Sequence, residues 1–351
     1  MTLMLEFKEK IRKLYIDYSY AILPVVKFLL AFAAFYSINQ TIGFFSLFKN
    51  IFVVLILSLI CCLLPVQAIA VVGGIMILGH CYALGIEVAA FVLLLLVVVG
   101  LLFLRFAGKD SLALVLTPFA LALGVPCAAP ICFGLKRKPS SAIAVACGTL
   151  VYYLMALLKE KSTLLKGSEN SDMLNKLKLL LDGIVKNQMM ILTMLTMVVV
   201  LTLVYVIRRS GKDYVWHVAI VVGSIAYAAL MMGGGLFLNI QTDLLPIFVG
   251  TLGSLIIALL FGFFVHNVDY SRTERLEFED DEYYYYVKAV PKVTISRSER
   301  QIKTISDEET IDIPSGMENT EDKDIFGANR EMTEIDENDL ERKLEESLKN
   351  L

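Results

Sequence analysis

The sequence predicts an all-α fold: a polytopic membrane bundle of about eight transmembrane helices, both termini cytoplasmic, followed by a largely disordered acidic tail. Three observations predict it. Of 351 residues, 57% are hydrophobic, well above the roughly 45–50% of soluble domains. Apolar runs recur that are long enough to cross a hydrocarbon core of about 30 Å. Beyond residue 266 the composition changes abruptly: residues 267–351 carry 24 acidic and 12 basic side chains, net −12, and leave residues 1–266 at +9. The first part belongs beside lipid headgroups and the second in water.

Residues 1–19 read as a cytoplasmic amphipathic segment. Its charges are too mixed for the head of a secretory signal. Ala31-Phe32-Ala33 mimics a cleavage site, but the apolar run carries Lys27 and continues past it, so it reads as the first membrane helix. The bundle, residues 20–266, has spans near 20–40, 51–77, 86–104, 111–135, 140–158, 189–207, 214–236 and 245–266. Positive charge tests this count, because Lys and Arg concentrate on the cytoplasmic side. Lys8 to Lys13, Lys136 to Lys138, Arg208 to Lys212, and Arg272 with Arg275 then share one side. Arg105 and Lys109 fall on the other.

Two spans are interrupted. Residues 111–135 contain Pro118, Gly124, Pro126 and Pro130, and each proline removes a backbone donor. A re-entrant loop here would place Arg105, Lys109 and Lys136 to Lys138 on one side and flip every later basic cluster outward. Charge therefore favours a broken but complete crossing. Residues 65–87 hold Pro65, Gln67, Gly73, Gly74, Gly79 and Gly85, which divide a long apolar stretch into two spans joined by a tight cytoplasmic turn near Gly79 to Gly85.

Residues 159–188 form an extracytoplasmic loop, in which Leu174, Leu177, Leu180, Leu181 and Ile184 recur at helical spacing opposite Lys176, Lys178, Asp182 and Lys186. That pattern is an amphipathic helix at the interface. In the tail, residues 276–295 include Tyr283, Tyr284, Tyr285 and Tyr286 among β-branched residues and read as extended, with Pro291 limiting them to a sheet edge. Residues 296–332 have the polar, charged composition of a disordered linker. Leu340, Leu344 and Leu348 mark a short amphipathic helix over residues 338–351, too short to be stable without a protein partner.

Intramembrane ionisable groups are few. Lys27 and Glu87 both fall near the cytoplasmic end of this arrangement, where a buried pair is open to them. The plainer reading has Lys27 reaching the headgroups and Glu87 in the turn. Gln67 is a candidate for lining a polar path. The six cysteines sit in apolar stretches without chelating spacing, so neither a metal site nor a disulfide framework is implied. No phosphate loop, dinucleotide fingerprint, zinc-protease or serine-hydrolase motif occurs, so no catalytic residue, cofactor or nucleic-acid partner is expected.

Lys27-Phe28-Leu29-Leu30-Ala31-Phe32-Ala33, the Leu102-Phe103-Leu104-Arg105 exit, the proline-broken fourth span and the block Asp280 to Lys292 carry a resemblance. The chain resembles uncharacterised multi-pass membrane proteins of Gram-positive anaerobic bacteria. That resemblance implies a bacterial plasma membrane and the same architecture, and supplies no activity. Two functions stay open: a transport component moving a small or lipid-like substrate past the broken spans, and a scaffold displaying the tyrosine-rich tail to a partner protein.

Overall fold

The computed structural model describes residues 2–166, 173–210, 214–240, 243–265, 274–279 and 283–289. In chain order the helices are α1 (Thr2–Asp17), α2 (Ser19–Ile42), α3 (Ser46–Lys49), α4 (Ile51–Leu63), α5 (Gln67–Tyr82), α6 (Ile86–Ala107), α7 (Ser111–Ala122) and α8 (Ala128–Lys136). There follow α9 (Ser141–Lys166), α10 (Met173–Val185), α11 (Gln188–Arg208), α12 (Val215–Phe237) and α13 (Leu244–Val265). Strands β1 (Glu274–Glu279) and β2 (Tyr284–Ala289) pair antiparallel, with Glu277 opposite Tyr286 and Glu279 opposite Tyr284. The helix expected over residues 338–351 lies outside the described residues.

Among the described residues six helices are long and apolar enough to cross a membrane: α2, α6, α9, α11, α12 and α13. The chain is thus built as a multi-pass membrane protein, but six such helices replace the eight expected. The two missing spans are the interrupted ones. Helix α4 has 13 residues and α5 has 16, about 20 and 24 Å. Pro65 ends α4 because the residue before a proline is pushed out of the helical region, and Leu64 is extended at ψ 165°.

Residues 111–135 break in the same manner. Gly124, at φ +74°, closes α7 while Val125 N–H donates to Ala120 O at 2.9 Å and Gly124 N–H to Leu121 O at 3.1 Å. This is a Schellman end followed by proline, and the left-handed residue favours glycine. Pro130 then falls in the first turn of α8, where its missing N–H would have no helical partner. Of the three prolines only Pro118 interrupts the interior of a helix.

Both broken segments fold back on themselves. Asp110 before α7 and Arg137 after α8 form an ion pair at 3.5 Å, so the two ends meet. Arg208, at the end of α11, donates to the carbonyls of Leu135 and Arg137. For the first segment, His80 at the close of α5 returns to where α4 began: Phe45 N–H donates to its Nδ1 at 3.1 Å, which leaves the proton on Nε2 facing Asn39 Oδ1 at 2.8 Å. Asn39 in turn donates to Phe48 O.

The segments that turn back are two, not one, and together they leave the charge pattern intact. One hairpin, α4–α5, enters from the end where α2 finishes; the other, α7–α8, enters from the opposite end. The two reversals cancel, and Lys136 to Lys138 stay with Arg208 and Arg209. Arg105 and Lys109, expected on the far side, join them. The turn from Gly79 to Gly85 moves to the non-basic end. Helix α9 also runs on to Lys166, through residues expected in a loop.

Helix α8 is buried along almost its whole length, against α11, α12 and α13 on one side and α7 and α9 on the other. Close approach relies on glycine. A Cβ on Gly148 of α9 would lie 2.9 Å from Leu114 O, the carbonyl that Pro118 deprives of its donor, and one on Gly250 of α13 would lie 2.6 Å from Gly124 O. Gly148→Ala should therefore cost about 1–3 kcal/mol of stability, read as a lowered unfolding temperature in detergent. For the hairpins, Lys109→Cys and Lys138→Cys should react with an impermeant maleimide from the same side of the membrane, and Lys49→Cys and Tyr82→Cys from the other. Labelling of residues 109 and 138 from opposite sides would restore the complete crossing.

Candidate functional site

The two hairpins meet inside the bundle, where α5 packs against α7. Between them, walled by α2, α6 and α9, is a cavity of about 330 Å³. Gln67 and Gly74 line it from α5, Leu114 and Pro118 from α7, Phe35 from α2 and Met155 from α9. Its lining is apolar but for Gln67 and Ser37, and buried hydroxyls elsewhere in the bundle are turned back into their own helices. Thr117 donates to Ala113 O at 2.6 Å and Thr149 to Val145 O at 2.9 Å. Thr193 spends its proton on Met189 O, so Tyr153 is the donor in their 2.8 Å contact.

No Asp, Glu, Lys, Arg or His lines the cavity. Gln67 does, from the first turn of α5, and its amide has no hydrogen-bond partner among the described residues. The cavity can hold an apolar body and present the Gln67 amide and the Ser37 hydroxyl to it. It offers no paired groups for acid–base or nucleophilic chemistry.

Lys27 and Glu87 are placed apart, each with its own partner. Lys27 Nζ donates to Leu64 O at 3.2 Å, where it meets a carbonyl at the end of α4 and complements the negative pole of that helix. This contact lies eight residues, about 12 Å, into α2. Glu87 stands at the start of α6, just past the turn that follows α5, and faces Lys176 of α10 at 4.0 Å. Asn39 is twelve residues beyond Lys27, about 18 Å along α2. The two residues therefore occupy different ends because the chain reverses at Pro65 as well as at Gly79 to Gly85.

The remaining expected positions divide cleanly. Pro65, Gly124 and Pro126 sit at hairpin turns, Pro118 lines the cavity, and Pro130 starts α8. Tyr283 and Tyr284 are exposed on the β-hairpin, 61% and 71%. Tyr286 lies on β2, and Leu340, Leu344 and Leu348 lie outside the described residues. Asp110, Arg137 and Arg208 were missed. Their signal in sequence is weak: opposite charges flank an apolar segment whose length fits a crossing as well as a hairpin.

Compared with protein-family models, curated proteins and solved structures, the chain matches none.

Lys27→Met should lower stability by about 1 kcal/mol through loss of the Leu64 contact, and Glu87→Gln by less than about 1 kcal/mol. The double variant should be additive within about 0.5 kcal/mol. Chemical unfolding of the four proteins measures it; a larger coupling would restore the direct pair.

Proposed function

We propose that the protein is a permease-like transport component of a bacterial plasma membrane, moving a small or lipid-like substrate along the cavity between its two hairpins. One observation carries this reading. A long helix followed by a re-entrant hairpin occurs twice, α2 with α4–α5 and α6 with α7–α8, in opposite directions, and the two hairpins share a cavity. Inverted arrangements with interrupted helices at midplane let a site open alternately to either face. Irregular backbone at that depth is tolerated where protein or a cavity surrounds it. In this reading the basic end of the bundle and the acidic tail face the cytoplasm, which the excess of Lys and Arg at that end supports.

A second reading, a scaffold that displays the tail to a partner protein, draws on the exposed Tyr283 and Tyr284 beside the acidic strand β1. The bundle would then only anchor that hairpin. Oligomeric state enters neither reading.

Reconstituted in vesicles with a fluorescent phospholipid, the protein should accelerate movement of the label between leaflets. A Cβ on Gly74 would meet nothing closer than 3.9 Å, at Leu96, so Gly74→Phe can fill the cavity without displacing backbone. It should slow movement on the order of tenfold, equivalent to about 1.4 kcal/mol on the barrier. Deleting residues 268–351 should leave the rate intact. No acceleration, or activity lost only with the tail, would favour the scaffold.

A further inference from the structure

Where the second hairpin closes, the ends of α6, α8 and α11 surround a second cavity, of about 600 Å³. Six basic side chains line it: Arg105, Lys109, Lys136, Arg137, Lys138 and Arg208. One acid, Asp110, lines it too; it is buried at 6% exposure and committed to Arg137. Arg105, Lys109, Lys136 and Lys138 form no ion pair among the described residues, whereas Arg208 is fixed by the carbonyls of Leu135 and Arg137. Cations gathered around one concavity repel each other and raise the local potential for an anion. Retention of a loop in the cytoplasm needs only the charges. It does not need them to share a cavity, nor a guanidinium held in place by two carbonyls.

The cavity does not end in water on every side. Leu104 lines it and also lines the apolar cavity between the hairpins. Leu101, three residues before it on α6, is exposed at 64%, and Phe106, exposed at 54%, also lines the basic cavity. A charged head and an apolar tail therefore have adjoining places, at the level where the apolar run of α6 gives way to Arg105.

We propose that this basic cavity binds the headgroup of an anionic phospholipid, whose acyl chain passes Leu104 towards the apolar cavity. The proposal rests on the transport reading only in naming the class of molecule carried; its test reads binding. The full chain in detergent is titrated calorimetrically with dihexanoyl phosphatidylglycerol, dihexanoyl phosphatidylcholine and inorganic phosphate. Phosphatidylglycerol should bind at least tenfold more tightly than either of the others, and the preference should shrink as salt is raised. Each cation removed should weaken its binding about fivefold, so Arg105→Gln/Lys109→Gln/Lys138→Gln together should lose on the order of a hundredfold while phosphatidylcholine binding stays unchanged. If that variant does not fold, Lys109→Gln alone reads the fivefold step.

Equal affinity for the two lipids, or a preference that survives these substitutions, overturns the proposal. Phosphate binding as tight as phosphatidylglycerol overturns the lipid assignment and leaves an inorganic anion site. Selective binding without label movement sinks the transport reading alone. Label movement without selectivity sinks this proposal alone.

Discussion

In hydrocarbon a backbone carbonyl or amide that loses its helical partner must find another within the protein, and the arrangement of this bundle follows from how its breaks are met. Lys27 supplies a donor to Leu64 O beside Pro65. A Schellman end at Gly124 satisfies the last carbonyls of α7 before Pro126. Arg208 reaches the final carbonyls of α8. At Pro118 the freed carbonyl of Leu114 is instead covered by Gly148, where the lack of a side chain lets two helices touch. Apart from the local Schellman end, each device uses a residue distant in sequence, so those breaks also tie two elements together.

Those ties set the interior. The first hairpin joins α2 and α6 around one apolar core, and α11, α12 and α13 form another with α8. Between the two lies a third, built from α6, α7, α8, α9 and α11. The second hairpin is therefore a central wedge held at its open end by Asp110, Arg137 and Arg208. Charge and packing act at the same place. The clamp that lets a proline-rich segment turn back also gathers the cations of the second cavity.

Several features could be read from residue order because their causes are local. The long apolar runs of α6, α11, α12 and α13 declare themselves by composition, and α10 by the spacing of its leucines. Pro65, Gly124 and Pro126 were recognisable as breaks for the same reason, since a missing N–H and a left-handed turn belong to single residues. The tyrosine-rich segment declared its extended form through its β-branched and aromatic content. Gln67 drew notice as an amide in an apolar stretch. The clamp stayed hidden, because Asp110, Arg137 and Arg208 are separated by tens of residues and look like loop charges.

The sequence by itself determined that this is a helical membrane protein, where its helices weaken, and that one end of the bundle is basic. It could not decide whether a broken segment crosses or returns. Length and hydropathy are nearly the same for both, and one charge pattern is satisfied by eight crossings or by six with two opposed hairpins. Only the tertiary structure decided that, through contacts between distant residues: Asp110 with Arg137, and His80 with Asn39. The same contacts moved Glu87 away from Lys27 and brought the two hairpins around one cavity. A segment's direction through a membrane is a property of where its two ends meet, and no stretch of residues carries that alone.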